Sequence, residues 1–166
     1  EKAVEFYSYG TGVGSVITGT SGYLYVVSVG SDRWFIGKLD AVTLEYIKSV
    51  SFPATVTSTG KFWGQPRHYV SLIPASGYLY FTFGYNNVHV ETAKIDLATF
   101  EVVKYTTYPT FSHPVYQSAF YEGKLFLPYQ HSMFYLLVVN AVTLSLSNDI
   151  LYNTKATTGT YILALN

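Results

Sequence analysis

The sequence predicts an all-β fold, a β-propeller of four-stranded antiparallel blades, on three observations. A short phrase recurs as Gly22-Tyr23-Leu24-Tyr25, Gly77-Tyr78-Leu79-Tyr80 and Gly123-Lys124-Leu125-Phe126. A second phrase follows each copy: Leu39-Asp40-Ala41-Val42-Thr43-Leu44, Ile95-Asp96-Leu97-Ala98-Thr99-Phe100 and Val139-Asn140-Ala141-Val142-Thr143-Leu144. It begins 17, 18 and 16 residues after the glycine, so the two phrases travel together. A repeat of about 45–55 residues belongs to solenoids and propellers. Apolar and polar residues also alternate with a period of two, and no stretch carries a 3.6-residue stripe. Four strands joined by tight hairpins at this period describe a propeller blade, whereas a sandwich or open barrel needs no such internal echo.

Each unit is read in the same order. In the middle unit, 68–73 is the first strand, and Ala75-Ser76-Gly77 is a tight turn in which glycine supplies a positive φ. Strands follow at 78–83, 88–95 and 100–106, separated by the loop formers Gly84-Tyr85-Asn86-Asn87 and Asp96-Leu97-Ala98-Thr99, with Tyr108-Pro109 closing the blade. The first unit repeats this as 15–18, 23–29, 34–39 and 44–51, and the third as 116–120, 124–129, 134–139 and 144–150. The blades thus occupy about 12–53, 67–109 and 115–153 of one propeller domain or segment spanning 1–166. A lone strand stands at each end: 4–9 reads as a fourth strand and 160–165 as a first strand. Three blades are too few for a ring, since propellers take 4–8. The expectation is a small or partial propeller: an arc of a longer protein, a fourth blade made from the end strands, or a ring closed by two copies.

Composition narrows the function classes. At 166 residues the chain can bury a real core. Ten basic residues balance ten acidic ones, so no net field draws nucleic acid or an anionic membrane. Charged residues are only 12%, about half the usual share. That neutrality suits an assembly or display outside a cell. The 17 tyrosines fit strands and leave a hydroxyl at the water boundary. No cysteine is present, which removes disulfides, thiolate metal sites and a Cys nucleophile. No apolar run reaches the ~20 residues needed to cross a bilayer, so membrane insertion is not expected.

The pattern Gly-x-Leu-Tyr-Val, followed by Leu/Ile-Asp-x-x-Thr-Leu/Phe-Glu-x-Val, resembles the repeats of YVTN, NHL and quinoprotein-type β-propellers. Residues 39–47 and 95–103 fit best, while the third unit departs with Asn140 for the aspartate and Ser145 for the glutamate. The resemblance implies architecture. It does not select an activity, because that group includes enzymes, scaffolds and adhesins.

The recurrent Asp40, Asp96 and Asn140 lead turns, where a side-chain oxygen accepts amides two or three residues on. Recurrence in every unit argues for that structural duty over catalysis. Gly10-Thr11-Gly12-Val13-Gly14 lacks the Lys-Ser/Thr ending and the helix of a phosphate loop. No nucleophile elbow or glycosidase carboxylate pair is present, so no catalytic residue is assigned.

In a propeller, the loops joining strands two and three share a face with those leading to the next blade. His68, His113 and His131 fall there, with His89 beside them. Gathered imidazoles can ligate a metal or move protons. Of the acids, only Asp32 joins them in those loops, so a polar rim is favoured and no metal or other cofactor is expected.

The same face carries the long irregular stretch 53–66, with Lys61, Phe62, Trp63 and Gln65, then Arg67. Asp32 and Arg33, and Tyr85, Asn86 and Asn87, would flank it. Aromatic and arginine side chains on loops are the usual binding anchors, although Phe62 and Trp63 could equally fill the gap between blades. The reading is therefore a non-enzymatic, surface-displayed module, on a cell or virion, that binds a protein receptor, a glycan or a neighbouring subunit. Two alternatives remain: a fragment of a propeller enzyme, such as a quinoprotein-like dehydrogenase or a lyase with a His-lined site, and a purely structural subunit associating through its edge strands.

Overall fold

A computed structural model describes residues 17–29, 33–53, 70–85, 89–109, 113–115, 118–130 and 134–152. These form three antiparallel sheets and no helix. The first is β1 (Ile17–Thr20), β2 (Tyr23–Val29), β3 (Arg33–Asp40) and β4 (Tyr46–Pro53), in that order. The second is β5 (Val70–Ala75), β6 (Tyr78–Tyr85), β7 (His89–Asp96) and β8 (Glu101–Pro109), again in chain order. In the third, β10 (Ala119–Tyr121), β11 (Lys124–Gln130), β12 (Phe134–Asn140) and β13 (Leu146–Tyr152) follow the same path, while β9 (His113–Val115) also pairs with β11. The first two sheets are the expected four-stranded meander, and the third is that meander with β9 added. The expected end strands 4–9 and 160–165 lie outside the described residues.

Two local expectations are corrected. The third unit's first strand is not a single run over 116–120. It is divided into β9 and β10, both laid along β11. Tyr129 pairs with Val115 and Gln130 with His113, so Pro114 is the residue skipped by the ladder. Proline has no N–H to give, so a skipped position suits it. The fourth strands also begin later than expected. Leu44, Phe100 and Leu144 are turn residues at φ 60°, 54° and 53°. This left-handed residue reverses the chain, and the strand resumes at Tyr46, Glu101 and Leu146.

The glycine turns have a simple cause. Ser21 and Gly22 sit at φ 52° and 80°, Ser76 and Gly77 at 51° and 79°, and Glu122 and Gly123 at 45° and 73°. Two consecutive positive φ values make the two-residue hairpin whose twist matches that of its strands, and glycine takes one of them without steric cost.

Packing divides the chain into two compact units: Glu1–Arg67 with Ala98–Glu101, and His68–Leu97 with Val102–Asn166. In the first unit, Tyr25, Val27, Trp34, Ile36, Leu39 and Phe100 are buried. The Phe100 ring stacks on Tyr25 with centroids 5.8 Å apart. In the second unit, Tyr80, Val90 and Tyr108 of one sheet pack with Leu125, Leu127, Leu137, Val139 and Leu144 of the other. All of 90–95 in β7 is buried, so this inner strand is covered on both faces and its polar Glu91, Thr92 and Lys94 must find partners within the protein.

Candidate functional site

Each sheet has two unlike ends. At one end the glycine turn and the Asx turn are joined by backbone: Ala41 N donates to Gly22 O at 2.9 Å, Leu97 N to Gly77 O at 3.0 Å, and Ala141 N to Gly123 O at 2.9 Å. This bond is why the two sequence phrases keep their spacing. Asp40 Oδ1 accepts from the amides of Val42 and Thr43 at 2.8 and 2.7 Å, and Asn140 Oδ1 from Val142 and Thr143 at 2.9 and 3.0 Å. Leu44 N and Leu144 N close each turn onto the carbonyl of residue 40 or 140, at 3.0 and 2.8 Å. The amides of Thr43 and Val42 hold the Asp40 carboxyl below the usual carboxylate range. The structural reading of Asp40 and Asn140 is thus correct.

Sequence reasoning passed over two lysines at this end. Lys38 Nζ lies 4.0 Å from the Tyr23 ring centroid and 5.8 Å from that of Phe100. Lys94 repeats the arrangement, 3.9 Å from the Tyr78 centroid and 5.8 Å from that of Tyr80. Its Nζ donates to Val142 O at 3.4 Å, while Tyr80 OH donates to Ala141 O at 3.1 Å and Tyr108 OH to Leu144 O at 2.9 Å. Lys94, Tyr80 and Tyr108 together form a cradle that seats the 141–144 turn. A lysine two positions before the turn aspartate, opposite a Tyr-x-Tyr strand, was the available signal. It is legible in the first two units, and Val138 replaces the lysine in the third.

Burial shifts the titration of the cradle groups and of Tyr25 in the first unit. It pushes the phenols of Tyr25 and Tyr80 up, aided by Tyr23 and Tyr78 respectively. Tyr108 is pushed up to about 12 by burial, against a smaller opposing bond with Thr92. Burial, then the nearby Lys104, holds the Lys94 ammonium below its usual value. The neutral phenols of Tyr80 and Tyr108 and the Lys94 ammonium serve here as donors to carbonyls. A second buried group, Glu91, accepts a hydrogen bond from Tyr105 OH in the second unit.

Of the expected binding residues, Arg33 and Tyr85 are described, and both lie at the other end of their sheets. Arg33 opens β3 opposite Pro53, and Tyr85 closes β6 directly opposite His89. His113 lies in β9 opposite Gln130, also away from the glycine turn of its sheet. Register therefore brings Tyr85 and His89 together. Asp32, Lys61, Phe62, Trp63, Gln65, Arg67, Asn86, Asn87, His68 and His131 lie outside the described residues. Among the described residues, no three His, Cys, Asp or Glu side chains gather as metal ligands would.

Comparison with known proteins places the fold. Dihydro-heme d1 dehydrogenase NirN, in complex with DHE, superposes with a TM-score of 0.54 at 15% identity over 84% of this chain and 28% of its own. A europium-containing methanol dehydrogenase gives 0.56 at 10% identity over 84% of this chain and 26% of its own. The chain is thus built as a β-propeller, as its repeat and the resemblance implied. It spans about a quarter of the length of those two structures. No protein-family model matches it, and no curated protein sequence is similar to it.

Proposed function

We propose that this chain is a non-enzymatic propeller module, displayed on a cell or virion surface, that binds a protein or glycan partner through the loop end of its blades. The binding residues would be Lys61, Phe62, Trp63, Gln65 and Arg67, flanked by Asp32, Arg33, Tyr85, Asn86 and Asn87. The observation that supports this most is the division of labour between the two ends. The repeated side chains at the glycine end are engaged in holding turns and neighbouring strands, as with Asp40, Asn140 and Lys94. That leaves recognition to the end where the units differ, and loops on a rigid scaffold are where binding residues concentrate. The dehydrogenase activities of the two similar structures do not transfer, because identities of 10–15% carry the fold alone.

The test is a glycan array and a panel of surface proteins probed with the chain, repeated with Trp63→Ala and Arg67→Ala. Binding lost in both variants, with an unchanged circular dichroism spectrum and melting temperature, supports the site. Undiminished binding by both removes it.

A second reading, self-association as a structural subunit, is favoured by one observation. The outermost strands expose apolar side chains: Tyr46 and Ile47 on β4, Val102 and Val103 on β8, and Leu146 on β13. Outer strands with apolar faces invite pairing. Sedimentation equilibrium decides it, since a monomer at high micromolar concentration contradicts this reading.

A further inference from the structure

We draw no further inference here: the strongest candidate, the first blade's turn at 41–44, repeats the turn that buries Leu144 to 1% exposure yet leaves Val42 89% exposed and Leu44 half-buried, but nothing in the structure shows what covers it.

Discussion

Replacing Phe100 with alanine isolates the contribution of one turn residue to the packing of another blade's strands. The Phe100 ring is 1% exposed, stacks on Tyr25 at 5.8 Å and lies 5.8 Å from the Lys38 ammonium. Truncation of a buried phenylalanine costs about 3–5 kcal/mol once the cavity is included. The stacking with Tyr25 accounts for about 0.5–1.5 kcal/mol of that. The whole chain is expected to hold roughly 5–15 kcal/mol, so the loss is about a fifth of its stability or more. The repeat supplies its own control, because leucine occupies the same turn position at Leu44 and Leu144 with the same positive φ. Phe100→Leu should therefore keep the turn and cost under about 1.5 kcal/mol. Urea unfolding followed by circular dichroism gives the totals. Hydrogen exchange locates them, with protection falling first at the amides of β2 and β3. A loss below 1 kcal/mol for Phe100→Ala, or equal losses for alanine and leucine, would refute the reasoning.

Other substitutions separate the remaining contributions. Tyr108→Phe leaves the buried Leu144 carbonyl without its donor, at a cost of about 1–3 kcal/mol by urea unfolding. The same phenol should resist base. With its folded value raised to about 12, its contribution is complete below the unfolded value near 10 and is lost as pH rises from there through about 12. Ultraviolet titration should show a late-ionising tyrosine that Tyr108→Phe removes. Lys94→Met takes the cation off the Tyr78 ring and removes the Val142 donor, and should cost about 1–2 kcal/mol, partly salt-sensitive. Asp40→Asn keeps the acceptor oxygen, as Asn140 does natively, but removes a carboxyl whose value is lowered by folding. The wild type's advantage over Asp40→Asn should hold above the unfolded carboxyl value, near pH 4, and fade as pH falls through the lowered folded value. An advantage independent of pH would contradict this.

The strands were legible because each one obeys a local rule. The second strand of the first unit runs from Tyr23 to Val29 as expected, bounded by a glycine turn whose φ only glycine adopts freely. The fourth-strand starts were misplaced because Leu44, Phe100 and Leu144 look like strand residues. Their side chains are apolar, yet their backbone is left-handed because the preceding Asx turn aims the chain backwards. No propensity scale reports that. The division of the third unit's first strand into β9 and β10 had no such local mark, since Pro114 lies before the expected 116–120 run and Pro74 and Pro128 interrupt neither β5 nor β11. The seating of the 141–144 turn was hidden for a different reason: the bonds from Lys94 to Val142 and from Tyr80 to Ala141 join residues 48 and 61 positions apart. Glu91 was invisible in the same way, since nothing local distinguishes a buried strand carboxylate from an exposed one.

Repetition itself supplies the remaining argument about function. Where three units must satisfy the same carbonyls and amides, their residues converge: glycine before the second strand, and Asp or Asn then Thr at the second turn. Elsewhere the units diverge in sequence. The connections between second and third strands run Gly30-Ser31-Asp32, Asn86-Asn87-Val88 and His131-Ser132-Met133, sharing neither charge nor ring. A partner that must be recognised once, rather than three times, needs residues found once. Trp63, Arg67 and Arg33 meet that condition, while Asp40, Lys94 and the glycines do not. Exchanging the 86–88 loop for 30–32 should therefore alter binding while leaving stability within about 0.5 kcal/mol, the range of surface changes away from special features. Paired binding and urea measurements on that loop exchange check it. A large loss of stability with binding retained would reverse the assignment of the two ends.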